Sequence, residues 1–201
     1  MKKILDVGGS VNTYPGTTHV IDLSAPKDEK IEFCNMDICS GKWPYPDKYF
    51  DFVNCAETLE DVKDPIFICK ELMRVAKSGR ITVPHFTTEL TRGIDPWPGA
   101  DKYVGYTHHR WIVIFKDNIL TFIPKWASVH TVDWVEHTPG APLQRFELKW
   151  EGTFNFEEKQ FFSWFKYYNY IAELVGVEDA ETKWDLVHYI ENGRDIMRRR
   201  Q

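Results

Sequence analysis

No CxxC pair occurs among the four cysteines, Cys34, Cys39, Cys55 and Cys69, so the 201-residue chain signals neither a zinc site nor a disulfide framework. Cys34, Cys55 and Cys69 sit in or beside apolar runs, where a free thiol serves as a small core residue. No apolar run approaches the ~20 residues that a membrane-spanning helix needs. The first seven residues enter a strand at once and lack the apolar stretch of a secretion signal. These absences lead us to expect a cytoplasmic, reduced protein with no membrane span. Basic charge is scarce as well. The net charge is −5, which argues against a chain whose main work is gripping a phosphate backbone. The tail cluster Arg194, Arg198, Arg199 and Arg200 reads as a helix end, where cations meet the negative pole of the dipole. A GxGxxG run is missing too, and with it the glycines that bring backbone close to a pyrophosphate.

What is present reads as one folded domain. Hydrophobic residues make up 43% and charged residues 27%, globular rather than disordered proportions. Short apolar runs at 3–7, 19–23, 31–35, 50–55 and 80–83 read as strands, several closed by glycine or proline. Between the last two, Asp64 is a good N-cap and Pro65 suits the first helical position. Ile66, Cys69, Leu72, Met73 and Ala76 then share a helical face, and Gly79 offers a stop. Strands alternating with helices or loops predict an α/β fold with a mostly parallel sheet, whose ligands bind beyond the carboxyl ends of the strands.

The second half differs. Aromatics reach 15% overall and most fall after residue 95. The long irregular stretch 87–110 reads as a lid or binding loop. Residues 111–122 suggest a helix, 128–136 and 144–150 a pair of strands, 157–175 an aromatic helix and 180–192 a final helix. The expected division is a single domain, 1–201. Its parts are a cofactor half (1–86), an acceptor lid (87–126), terminal strands (127–152) and C-terminal helices (153–201).

Acidic and amide side chains recur where the early strands end. Asp6 lies in Leu5-Asp6-Val7-Gly8-Gly9, and Asp22 ends the second strand. Asp37 follows the third in Asn35-Met36-Asp37-Ile38, and Asn54-Cys55-Ala56-Glu57 closes the fourth. Carboxylates accept from an ammonium or from ribose hydroxyls, and glycines let backbone approach a ligand. In this order and spacing, together with Glu71-Leu72-Met73-Arg74-Val75 and Ser78-Gly79-Arg80, the chain resembles the class I S-adenosylmethionine-dependent methyltransferases, small-molecule branch. The resemblance covers about residues 3–86, with a looser echo to about 126.

The resemblance implies a Rossmann-like, mostly parallel seven-stranded sheet with an antiparallel last strand, and S-adenosylmethionine as cofactor. Asp6, Gly8 and Gly9 would line its methionine end and Asp22 would hold the ribose. Asp37 would contact the adenine, with Met36 and Ile38 packing on the ring. Asn54, Cys55 and Glu57 would belong to the floor beneath the sulfonium. Departures stand beside these. Ser10 and Asn12 occupy places often held by glycine, Asp61 stands where the family has a histidine, and Ser78 replaces a usual proline. The link 8–18 is too short for a full crossover helix. Extra helices are expected at the C-terminus.

The candidates for contacting an acceptor are His85, just past the fifth strand, and His108 and His109. His108-His109-Arg110-Trp111 resembles a run that some small methyltransferases place over the acceptor. Adjacent histidines are no metal motif by themselves, since ligands need convergent geometry. The expectation is therefore methyl transfer to oxygen or nitrogen of a small molecule, with no metal. The fourth strand lacks the Asn/Asp-Pro-Pro-aromatic and Pro-Cys signatures of nucleic-acid methylation, so nucleic acid is not the expected substrate. Two other readings stay open: a non-catalytic binding or assembly protein on the same fold, and a nicotinamide-dependent oxidoreductase. The aromatic C-terminal helices would suit a homo-oligomer face.

Overall fold

The computed structural model describes residues 2–9, 12–131, 134–135 and 143–176. The described residues divide into two compact units: 2–9, 12–86, 108–125 and 143–159 in one, and 87–107, 126–131, 134–135 and 160–176 in the other. The expected helix at 180–192, the arginine tail and Ser10 lie outside the described residues.

In the first unit, β1 (Ile4–Val7), β2 (His19–Asp22), β3 (Glu32–Asn35), β4 (Phe52–Ala56), β5 (Ser78–Pro84) and β8 (Arg145–Glu151) form one sheet. Their spatial order is β3-β2-β1-β4-β5-β8. The first five run parallel and β8 pairs antiparallel with β5. The fold class is as expected, but this sheet has six strands among the described residues rather than seven. A second, three-stranded sheet holds β6 (Trp111–Lys116), β7 (Ile119–Pro124) and β9 (Asn155–Glu158).

Strand alternation sorts the large sheet into two chemically different faces. Leu5, Val7, Ile21, Val53, Cys55, Ile81, Val83, Leu148 and Trp150 lie on one face and join the core. Ile68, Cys69 and Leu72 of α1 (Pro65–Val75), with Leu120 and Phe122 of β7, complete that core. Asp6, Asn54 and Arg80 occupy one rung on the opposite face. A polar residue inside each of β1, β4 and β5 therefore costs the core nothing.

The helix α1 begins as its sequence dictates. The Asp64 carboxylate accepts from the Phe67 N–H at 2.8 Å, and Pro65 sits at the first turn, where its missing N–H is no loss. Its far end corrects an expectation. Ala76 is already extended, and Gly79 lies within β5 rather than stopping the helix. A methyl group on Gly79 would meet the Trp150 indole at 2.7 Å, so the close approach of that ring is what requires glycine there.

Glu71 and Arg74 tie α1 to the segment before β4. Arg74 donates to both Glu71 oxygens at 2.7 and 2.6 Å, and to the carbonyls of Tyr45 and Trp43 at 2.7 and 3.0 Å. The Trp43 N–H donates to Glu71 at 2.7 Å. Burial alone would raise the Glu71 carboxyl, but these donors outweigh it and hold the group below its ordinary value.

Residues 111–122 are not a helix. They form the β6–β7 hairpin, turned at Asp117-Asn118 with φ of 51° and 62°. Two successive left-handed residues match the twist of the flanking strands, and Asp and Asn tolerate that region better than most. The strand expected at 144–150 is β8, but its partner is β5. Residues Ala127–Thr131 are a 3₁₀ helix, not a strand. The helix expected over 157–175 is shorter: β9 takes Asn155–Glu158 and α3 spans Trp164–Leu174. A single helical turn, α2, occupies Phe86–Glu89.

The second unit is held by rings. Trp126 stacks on Tyr167 at 4.4 Å and Trp134 on Tyr168 at 5.5 Å. Tyr167, Tyr168, Ile171 and Ala172 form the buried side of α3.

Candidate functional site

The strand order reverses between β1 and β4, the usual place for a ligand in an open α/β sheet. Gly8, at the end of β1, has a φ of +72°. A side chain there would meet the Thr58 hydroxyl at 2.6 Å. At Gly9 it would overlap the Asp6 carboxylate. Both glycines allow close backbone approach, but in this structure the nearest groups are the protein's own.

Asp6 is fully buried. One carboxylate oxygen accepts from Asn54 Nδ2 at 2.7 Å, and the other from the Tyr14 N–H at 2.7 Å. The second bond fastens the loop after β1 to the strand it leaves. Burial raises the Asp6 carboxyl above its ordinary value, and the donors from Asn54 and Tyr14 oppose the rise. Asn54 Oδ1 accepts in turn from Arg80 at 3.2 Å, and Arg80 pairs with Glu147. The result is a polar chain across β1, β4, β5 and β8. Arg80 was not among the residues expected at the site. Its register with Asn54, two strands from Asp6, is the signal that could have found it.

Asp22 ends β2 half-buried, and its Oδ1 accepts from the Ser24 N–H at 3.2 Å. Asp37 is exposed and closes a turn, accepting from the Cys39 N–H at 2.8 Å. Met36 is half-buried against the core and Ile38 is within it. The Cys55 thiol faces the core, and burial pushes it well above its ordinary value. Glu57 follows β4 with a φ of 49°, a left-handed conformation a non-glycine residue holds only at a cost of roughly 1–2 kcal/mol. Its N–H donates to the Thr82 carbonyl at 2.8 Å, and its carboxylate pairs with Arg145 at 3.2 Å.

The three histidines fall in two places. His85 follows β5, its N–H bonded to the Gln144 carbonyl at 2.9 Å and its ring 4.3 Å from Phe86. Burial lowers its pKa and favours the neutral ring. His108 and His109 lie beside Asp61, past the end of β4. The Asp61 Oδ1 stands 3.7 Å from His109 Nε2 and 4.0 Å from His108 Nε2. The reason is a backbone latch. The Arg110 and Trp111 N–H groups donate to the Glu60 carbonyl at 2.7 and 3.1 Å, and Trp111 Nε1 donates to the Val62 carbonyl at 2.8 Å. Asp61 was legible only as a departure from the family pattern. The latch makes it the partner of both histidines.

Residues 10–83 match the family described as methyltransferase domain. Over 54 residues the chain is 43% identical to an uncharacterized methyltransferase of Schizosaccharomyces pombe (strain 972), over 26% of this chain and 19% of the relative. The chain thus spans about a fifth of that curated relative's length. Among solved structures it is similar to PH0226 protein from Pyrococcus horikoshii OT3. That match is 18% identical, with 86% of this chain and 71% of that one covered and a TM-score of 0.38. It is also similar to a S-adenosylmethionine-dependent methyltransferase from Clostridium acetobutylicum ATCC 824. There the identity is 12%, the coverage 87% and 72%, and the TM-score 0.35. The segment that matches the methyltransferase-domain family lies on the strands whose order and tips are described above.

Proposed function

We propose that this chain moves the methyl group of S-adenosylmethionine onto oxygen or nitrogen of a small-molecule acceptor. The observation that carries this reading is the alignment of Asp22, Gly8-Gly9 and Asn54–Glu57 at the carboxyl ends of three neighbouring parallel strands, around the reversal of strand order. When bound, S-adenosylmethionine supplies a methyl carbon that is already electrophilic.

In this reading Asp22 accepts from the ribose hydroxyls, and Gly8 and Gly9 admit the amino-acid end. Met36, Asp37 and Ile38 border the adenine. The backbone of Asn54, Cys55 and Glu57 forms the floor. Asp6 acts as a positioning residue, because both its oxygens already hold protein groups. Holding the acceptor in line is worth up to ~7–11 kcal/mol of barrier. His109 or His108 would take the proton of a hydroxyl acceptor, worth roughly 10²–10⁴-fold, and Asp61 would orient the ring. His85 is the third candidate for contact. We read the protein as cytoplasmic; no helix among the described residues is long and apolar enough to cross a membrane. Phe162 and Phe165, 95% and 47% exposed, support a homo-oligomer face near α3.

Titration calorimetry with S-adenosylmethionine tests the reading. Saturable binding is expected, about tenfold weaker in Asp22→Ala with an unchanged melting temperature. No heat with this cofactor or its demethylated product removes the reading. Protection against melting by a nicotinamide cofactor alone would favour the oxidoreductase instead. His109→Ala should lower turnover while cofactor binding persists. The engagement of both Asp6 oxygens by protein, and the absence of a helix among the described residues of the short β1–β2 link, favour one second reading. It is a non-catalytic protein on the same fold, marked by cofactor binding without turnover on any acceptor.

A further inference from the structure

We infer that Asp61, His108 and His109 form a site for one divalent transition-metal ion of the zinc class. Binding the ion needs no cofactor, although its ligands are the residues proposed above to serve the acceptor.

The ligating atoms of all three residues lie within 4.8 Å of one another. Both histidines turn Nε2 toward the same oxygen, Asp61 Oδ1, at 3.7 and 4.0 Å. A tetrahedral ion with bonds of ~2.0–2.2 Å wants its ligands about 3.3–3.5 Å apart. The Asp61–histidine distances of 3.7 and 4.0 Å, and a histidine pair within 4.8 Å, require side-chain rotation to draw the three ligands in. The His108 and Asp61 side chains are 62% and 41% exposed and have room to turn. His109, at 6%, is the fixed member.

The convergence is built into the fold. The Glu60 and Val62 carbonyls, on either side of Asp61, hold the Arg110 and Trp111 N–H groups and the Trp111 indole. Two segments almost fifty positions apart are thereby fixed in a register that sets the histidines against the carboxylate.

The donor set selects the ion. Two imidazoles and one carboxylate suit zinc, cobalt, nickel or ferrous iron, whereas calcium and magnesium prefer oxygen alone. Three protein ligands with two exposed members leave coordination positions open to water or to an acceptor atom, as in catalytic rather than structural zinc sites. An ion there, past the carboxyl end of β4, would polarise an acceptor oxygen or lower the pKa of bound water. In that state His108 and His109 would be ligands, and the ion would take over the role of the base.

The test is titration of the untagged full chain, stripped with a chelator, with Co²⁺ followed by visible absorption. We expect saturation near one equivalent with ligand-field bands and no thiolate charge-transfer band. Asp61→Asn and His108→Ala should each weaken binding by about tenfold or more while the melting temperature stays put. Should His109→Ala fail to fold, these two exposed-side variants carry the test. No saturable uptake, wild-type affinity in both variants, or a thiolate band pointing to a cysteine site would each overturn the inference. A calorimetric titration with S-adenosylmethionine on the same preparation reports separately on methyl transfer.

Discussion

Asp6 lies within β1 and Asp61 follows the neighbouring β4, yet they are carboxylates of opposite kinds. Asp6 is fully buried, and its two oxygens are spoken for by Asn54 and the Tyr14 N–H. Asp61 is 41% exposed and faces two imidazoles at 3.7 and 4.0 Å, beyond ordinary hydrogen-bond length. A buried carboxylate survives by having its donors built in, and such a group holds the fold. The half-exposed Asp61 carboxylate instead stands among side chains brought together from two distant segments. Residue type and strand-tip position do not separate the two roles. Burial and the identity of the groups around the oxygens do.

The comparison breaks first at Gly9. A methyl group there would overlap the Asp6 carboxylate, which cannot retreat without losing Asn54 or Tyr14. Gly9→Ala should destabilise by about 3 kcal/mol, the upper end of ordinary overpacking, measured by urea unfolding. Asp6→Ala should cost about 2 kcal/mol by the same measurement, because the buried Asn54 amide and the Tyr14 N–H lose their acceptor. A cost below about 0.5 kcal/mol in either would mean that the Asp6 cluster is not structural.

Asp6→Asn sharpens the contrast through pH. The folded-state pKa of Asp6 is raised above that of the unfolded chain, chiefly by burial. The native state therefore keeps a proton that the unfolded state has lost, in a window that opens near the ordinary ~3.9. The contribution of this group is fully present below that window and declines as pH rises through it. The stability of the native sequence relative to Asp6→Asn should fall as pH rises from ~4, and then level off. A difference that grows with pH would reverse the sign. The smallest effect is expected at the other carboxylate. Asp61→Asn should change stability by no more than about 0.5 kcal/mol, since its side chain is substantially exposed. A larger loss would make Asp61 a fold-holding group like Asp6.

Much of the first half was legible because its signals are local. Gly8 and Gly9 close β1 in sequence and in space, and Asp64-Pro65 starts α1 where an N-cap and a first-turn proline should. Residues 111–122 misled because periodicity alone does not separate a short apolar helix from a strand pair. The Asp117-Asn118 turn, with both residues left-handed, was the deciding signal. Gly79 looked like a helix stop because its true constraint, the Trp150 ring, comes from a strand seventy positions later.

The sequence by itself determined the order of the parallel strands along the chain, the residues at their tips and the cap that launches α1. Each of these depends on neighbours within a few positions. Only the tertiary structure decided which face Asp6 shares with Asn54 and Arg80, that β8 pairs with β5, and that Asp61 meets His108 and His109. Those outcomes depend on strand register and on carbonyls that latch distant backbone. No local pattern encodes them, because the partners are brought together by packing rather than by sequence.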